Sequence, residues 1–149
     1  MVVRRVVVSL LALASCMPCD EIECFSRVAI GIGMEERRAL TPGEWSFTFV
    51  LDEDEPITTT CTIGAFSKSA RCDDEGGISA LIFDDPDNPF TRFLVSFDGE
   101  PETVDVRVAI DGTTVHDRRH EPDYGPATKP RRCDPDCLFA SIDVVIDEP

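Results

Sequence analysis

The chain has 149 residues, the length of a single domain, and its 29 acidic against 14 basic residues give a formal charge of −15. We therefore expect no nucleic-acid partner, because binding to phosphates needs clustered lysine and arginine. The negative charge also repels anionic lipid surfaces, so we expect no basic face that would hold the protein at a membrane.

The first 15 residues have the layout of a secretory signal. Arg4 and Arg5 form a short positive segment, and residues 6–14 form an apolar run that only Ser9 interrupts. This run is too short for a membrane-spanning helix, which takes about 20 apolar residues. We predict that residues 1–15 are a signal peptide, whose removal leaves 12 basic against 29 acidic residues, a formal charge of −17.

A cysteine follows this run directly, in the sequence Leu13-Ala14-Ser15-Cys16. These four residues resemble the lipobox of bacterial lipoproteins, in which a large aliphatic residue and two small ones precede the cysteine. The resemblance implies that Cys16 carries a diacylglyceryl group, that the chain is cut just before it, and that the lipid anchors the protein in the cell envelope, with the outer membrane favoured. In the alternative, Ala12-Leu13-Ala14 is an ordinary cleavage site and a protein without lipid is released.

The chain has seven cysteines, an odd number, and one more than can pair among themselves. If Cys16 carries lipid, six remain, and six can pair completely in an oxidising compartment. They are Cys19, Cys24, Cys61, Cys72, Cys133 and Cys137. Proximity favours disulfides between Cys61 and Cys72 and between Cys133 and Cys137. Cys19 and Cys24 then pair with each other. In the alternative, Cys19 and Cys24 pair with Cys133 and Cys137 and tie the two ends of the chain together.

The remainder of the chain shows the pattern of short β-strands. Eight stretches are rich in β-branched and aromatic residues and are separated by turn residues. They are 27–32, 45–51, 57–63, 78–83, 92–97, 104–110, 113–116 and 138–146. Two of them, 45–51 and 104–110, alternate apolar and polar residues as half-buried strands do. Asp111-Gly112, which joins two of the stretches, predicts a type I′ hairpin.

Eight short strands without a sustained helical period predict an all-β fold, a single antiparallel β-sandwich of about 7–8 strands that is stapled by disulfides. The entry at residues 40–45, where a Pro-Gly turn leads into an aromatic residue, resembles that of extracellular modules. This resemblance implies an immunoglobulin-like or transthyretin-like sandwich. The predicted organisation is a lipoprotein signal peptide (1–15), a lipidated tether (16–25) and the sandwich domain (26–149).

One further stretch, residues 122–137, is long and irregular, and such a loop is usually functional or stapled. Its tyrosine, prolines and C-x3-C spacing resemble the loop before the last strand in small, uncharacterised envelope lipoproteins of Gram-negative bacteria. Arg131 and Arg132 stand where that pattern has Asn-Gly. The resemblance places the strand after Cys137 and implies no activity.

The sequence offers two candidate metal sites. His116, His120, Cys133 and Cys137 offer two imidazoles and two thiols for tetrahedral zinc. An oxidising compartment favours disulfides over thiolates, and residues four apart on a strand share a face but lie far apart along it. We therefore interpret the two histidines as exposed polar residues at a strand end, without zinc.

Acidic loops are the better metal candidates, because calcium prefers oxygen ligands. The best of them contains Asp84, Asp85, Asp87 and Asn88. The spacing of an EF-hand is missing, and runs of charge are usually solvated loops. We accordingly predict no required cofactor, and calcium at this loop is the alternative.

Sequence motifs of enzymes are missing as well: there is no nucleophile elbow, no zinc-protease motif, no phosphate loop and no dinucleotide fingerprint. We predict a membrane-anchored envelope lipoprotein that is not an enzyme and that acts as a binding or structural module with a protein or glycan partner. A calcium-dependent adhesion or accessory module is the alternative. A small envelope hydrolase is a weaker one, and it would need His116 buried beside a carboxylate and a hydroxyl.

Overall fold

The structure is a computed structural model, and it describes residues 25–64, 70–73, 81–82, 92–126 and 137–147. Within these residues the chain forms ten β-strands and one short 3₁₀ turn, Glu35–Arg37. The strands are β1 (Arg27–Met34), β2 (Gly43–Leu51), β3 (Ile57–Ile63), β4 (Ala70–Cys72), β5 (Leu81–Ile82), β6 (Arg92–Asp98), β7 (Val104–Ile110), β8 (Thr113–His120), β9 (Gly125–Pro126) and β10 (Leu138–Ile146).

The strands form two five-stranded sheets that pack as a sandwich. The first sheet has the order β5-β6-β1-β10-β9, and the second has the order β4-β3-β2-β7-β8. The predicted all-β sandwich is confirmed. One pairing differs from a purely antiparallel sandwich, because β1 and β10 run parallel, with Ile30 opposite Ile142. Parallel neighbours need a long connection, and here almost the whole domain lies between the two strands.

Each predicted strand has a counterpart, and strict alternation explains which side is buried. The even residues of β1 and β10, the odd aromatic residues of β2 and the even residues of β7 face the space between the sheets. The largest fully buried side chains are Trp45, Phe47, Phe49 and Phe93. The ring of Phe93 in the first sheet lies 5.3 Å from that of Trp45 and 4.9 Å from that of Phe47, so aromatic packing joins the sheets.

Polar groups inside this core have partners. The indole nitrogen of Trp45 donates a hydrogen bond to the carbonyl of Thr41 (2.9 Å), and the hydroxyl of Thr59 donates to the carbonyl of Asp73 (3.2 Å). Thr59 is the one buried polar residue among those described, and none of their buried side-chain polar atoms lacks a partner. The described part of the core therefore consists of packed apolar side chains, and its few polar atoms are hydrogen-bonded.

A disulfide joins Cys61 of β3 to Cys72 of β4, and the two residues are direct cross-strand partners. The predicted pairing is confirmed. Cys137 is also disulfide-bonded. Cys16, Cys19, Cys24 and Cys133 lie outside the described residues. Their pairings and the lipidation of Cys16 stay predictions.

The hairpin between β7 and β8 has the predicted form. Asp111 and Gly112 both have positive φ angles, 48° and 80°, as a type I′ turn requires. The carboxylate of Asp111 also accepts a hydrogen bond from the backbone of Glu44 (2.9 Å), which ties the turn to β2. Along the part of the chain that the structure describes, no helix has the length and apolar character needed to cross a membrane.

Candidate binding cleft

Strand β8 is the outermost strand of the second sheet, and its outer face is held by ion pairs. Arg119 donates two hydrogen bonds to Asp105 of β7, both of 2.8 Å, and Arg107 of β7 donates to Asp117 at 2.9 Å. The hydrogen bond from Arg119 keeps the pKa of Asp105 below its ordinary 3.8. These cross-strand pairs explain how a sequence with little apolar character continues as a strand to residue 120.

The other face of β8 is directed toward the first sheet and carries polar side chains. His116, Arg118 and His120 lie opposite three buried valines of β7, so they share the side that faces the first sheet. At this edge of the sandwich the core ends, and the three side chains line a cleft instead of packing in the interior. This face of β8 can therefore carry polar side chains, because β8 lies at the edge of the sandwich and not over its core.

The opposite side of the cleft is formed by strand β10 of the first sheet and by the residue after it. Asp143, Val145 and Asp147 line the cleft from that side, and its volume is about 600 Å³. This size is within the range of pockets that bind small ligands. We call it the β8–β10 cleft. The carboxylate of Asp143 is paired with Arg92 of β6, so its charge is already partly compensated.

The two histidines of the cleft are in contact. Their Nε2 atoms lie 3.3 Å apart, while the ring centroids lie 5.6 Å apart with an angle of 15° between the rings. The rings therefore point their Nε2 edges at each other, so one imidazole donates a hydrogen bond and the other accepts it. Both residues are half-buried. The expectation of exposed and separated histidines is wrong, because both side chains lean along the strand toward each other.

The surroundings favour neutral imidazoles. Burial is the main cause of the lowered pKa of His116, and the neighbouring His120 and Arg118 lower it further. Burial also lowers the pKa of His120, followed by the charge of Arg118. Asp117 and Asp105 act in the opposite direction, on His116 and His120 respectively, but more weakly. Neutral imidazoles present the lone pairs that hydrogen bonding and metal binding need.

The calcium candidates Asp84, Asp85, Asp87 and Asn88 lie outside the described residues, so that site stays a prediction. The four-ligand zinc alternative loses one ligand, because Cys137 is disulfide-bonded and has no free thiolate. Among the described residues, no group of three or more His, Cys, Asp and Glu side chains converges as a metal site.

Three features of the cleft were not predicted from the sequence: Arg118 between the histidines, and Asp143 and Val145 on the facing strand. A signal for Arg118 exists, since residues 116, 118 and 120 are alternate positions and must share a face if the strand extends. The contribution of β10 had no such signal, because it depends on how the two sheet edges meet.

Comparison of the chain with protein-family models, curated proteins and solved structures gives no match. The class of protein that the fold and the cleft define is a disulfide-containing β-sandwich with a polar cleft at one edge.

Proposed function

We propose that this protein is an exported, lipid-anchored component of the bacterial cell envelope, in which the β-sandwich is a non-catalytic binding or structural module. The anchor is the lipid on Cys16, and the outer membrane is its proposed destination. We further propose an immunoglobulin-like or transthyretin-like type for the sandwich, and a protein or glycan in the envelope as its partner.

The observation that carries the proposal is the disulfide between Cys61 and Cys72. Disulfides of this kind persist in oxidising compartments and are rare in the cytosol, so the bond supports export. A lipobox-like segment at residues 13–16 supplies an anchor that suits the same compartment. The charge of the domain points to the same means of attachment, because an acidic protein needs something other than electrostatic attraction to stay at an anionic membrane.

A binding role is supported by the separation of apolar and polar side chains within the sandwich. The described core residues are apolar, except for Thr59, and its hydroxyl is satisfied by a backbone carbonyl. Paired histidines and an arginine are gathered at the β8–β10 cleft instead. The contact of His116 is with another imidazole, a pair suited to holding a ligand, whereas a hydrolase would use a hydroxyl and a carboxylate.

Fractionation of cells that express the full chain tests the anchor. We expect the wild-type protein in the membrane fraction, and we expect Cys16→Ser to leave it, because a hydroxyl does not accept the thioether-linked lipid. Cys19→Ser is the matched control, since it removes a cysteine three residues away and retains the lipobox. Membrane association of Cys16→Ser equal to that of the wild type would contradict the proposal.

A further inference from the structure

We propose that His116 and His120 bind one divalent transition-metal ion, such as Zn²⁺, Ni²⁺ or Cu²⁺, through their two Nε2 atoms. This inference rests on the proposed role of the β8–β10 cleft as the binding site of the module, and it is independent of the lipid anchor. It differs from the four-ligand zinc site, because the protein supplies two imidazoles and no thiolate.

The separation of the two nitrogens carries the proposal. Zinc binds imidazole nitrogens at about 2.0–2.1 Å, so two nitrogens on one tetrahedral ion lie about 3.3–3.4 Å apart. The observed Nε2–Nε2 distance is 3.3 Å. The two side chains therefore already place their nitrogens at the required separation, and changes in their side-chain torsions that keep this separation direct both lone pairs to one position beside the line that joins the nitrogens.

The proton between the rings does not oppose this change. In the present contact one imidazole bears its hydrogen on Nε2, and in the metal-bound form both rings bear it on Nδ1. The donor ring changes tautomer and stays neutral, so no net proton has to leave. Binding is then lost when acid protonates the rings, as is general for histidine ligands.

The cleft also accounts for the rest of the coordination shell. Its volume of about 600 Å³ leaves room for water molecules at the other positions of the ion. Three carboxylates line the cleft, and two of them are engaged with arginines: Asp117 with Arg107, and Asp143 with Arg92. The third is Asp147, and among the described residues no third His, Cys, Asp or Glu side chain converges with the two imidazoles. The site is thus a two-imidazole site with open positions, and these are free for a ligand atom from a partner.

The chemistry of the pair selects the class of ion. Imidazole suits zinc, copper and nickel, whereas calcium and magnesium take oxygen ligands. Arg118 lies on the same face of β8, between the two histidines, and its charge lowers the pKa of both. The same charge repels a bound cation, so we expect Arg118 to weaken metal binding without contributing a ligand.

Calorimetric titration of the full chain, purified in detergent, with NiCl₂ and with ZnCl₂ tests the proposal. Nuclear magnetic resonance of the imidazole groups identifies the ligands, because the chain has only two histidines. We expect one ion per chain and perturbation of both rings. We expect His116→Gln and His120→Gln each to weaken binding at least about tenfold, which corresponds to about 1.4 kcal/mol. Arg118→Gln is the matched control in the same strand, and we expect it to bind severalfold more tightly.

Three results would overturn the proposal. The first is no perturbation of the imidazoles at millimolar metal, and the second is wild-type affinity in either histidine variant. The third is a loss in Arg118→Gln as large as in the histidine variants, since this would indicate damage to the strand in place of lost ligands. Thermal melting of each variant establishes that it is folded. Membrane fractionation with Cys16→Ser remains a separate test of the anchor, so the two proposals fail independently.

Discussion

Arg92 of β6 and Asp143 of β10 form an ion pair across the outer face of the first sheet, and the guanidinium passes directly over Gly31 of β1. A Cβ atom at Gly31 would overlap the guanidinium group. The missing side chain at this position therefore gives the arginine its path between two strands that are not neighbours. The pair also compensates a carboxylate that lines the β8–β10 cleft.

This relationship predicts that Gly31→Ala breaks the ion pair. The pair is largely solvent-exposed, so its contribution to stability is at most about 1 kcal/mol. We expect Asp143→Asn to lower the free energy of unfolding by up to that amount in the wild type. In the Gly31→Ala background we expect no further decrease, because the ion pair is already lost there. Urea unfolding of the four chains measures this coupling. An equal cost of Asp143→Asn in both backgrounds would show that the two positions are independent.

The disulfide between Cys61 and Cys72 is expected to stabilise the second sheet. The two residues are 11 positions apart, and disulfides that close loops of this order typically contribute about 2–4 kcal/mol. We expect the double variant Cys61→Ala/Cys72→Ala to lose about that much in urea unfolding. A double variant is preferable to a reducing agent, because Cys137 is also disulfide-bonded. Unchanged stability of the variant would mean that the bond contributes nothing to the fold.

The paired histidines predict a loss of stability in mild acid. Unfolded, both titrate near their ordinary pKa of 6.5, and in the folded protein both pKa values are lower. Between the unfolded-state and the folded-state pKa values the unfolded chain binds more protons, so the free energy of unfolding falls as the pH drops from about 7 through 6.5 toward the lowered folded-state pKa values. His116→Gln/His120→Gln removes this contribution, and we expect its urea-unfolding free energy to change less across this range. The same pH dependence in the wild type and in the double variant would contradict the lowered pKa values of the two histidines.

The hairpin predicts a cost for any side chain at Gly112. Its φ angle of 80° lies in the left-handed region, where an L-residue costs roughly 1–2 kcal/mol. We expect Gly112→Ala to destabilise the protein by about that amount, measured by chemical denaturation. Asp111→Asn serves as the control, because asparagine tolerates a positive φ and retains an oxygen acceptor for the backbone of Glu44. Equal losses in the two variants would point to another cause.

Much of the fold could be predicted from the sequence, because alternation and turn chemistry are local. Strands β3, β7 and β10 begin and end where the pattern places them, and the Asp111-Gly112 turn has the predicted type. The short strands β4 and β9 were not predicted, since two or three residues are too few to show a period. The parallel pairing of β1 with β10 was not predicted either, because it joins the two ends of the domain and leaves no local signal.

The candidate site was less predictable for the same reason. The sequence identified His116 and His120 but ended the strand at residue 116, because the segment after it has no apolar alternation. The missing alternation arises because one face of β8 lines a cleft and the other forms ion pairs with β7. Both features depend on contacts with other strands, which a single segment does not reveal.

We propose above all that the protein is exported and carries lipid on Cys16. Intact mass spectrometry of the protein from the membrane fraction, with and without reduction, tests it most directly. We predict a mass that lacks residues 1–15, includes a diacylglyceryl group and indicates three disulfides among the six remaining cysteines. A chain that retains residues 1–15, or one that is cut there and carries no lipid, would contradict the claim.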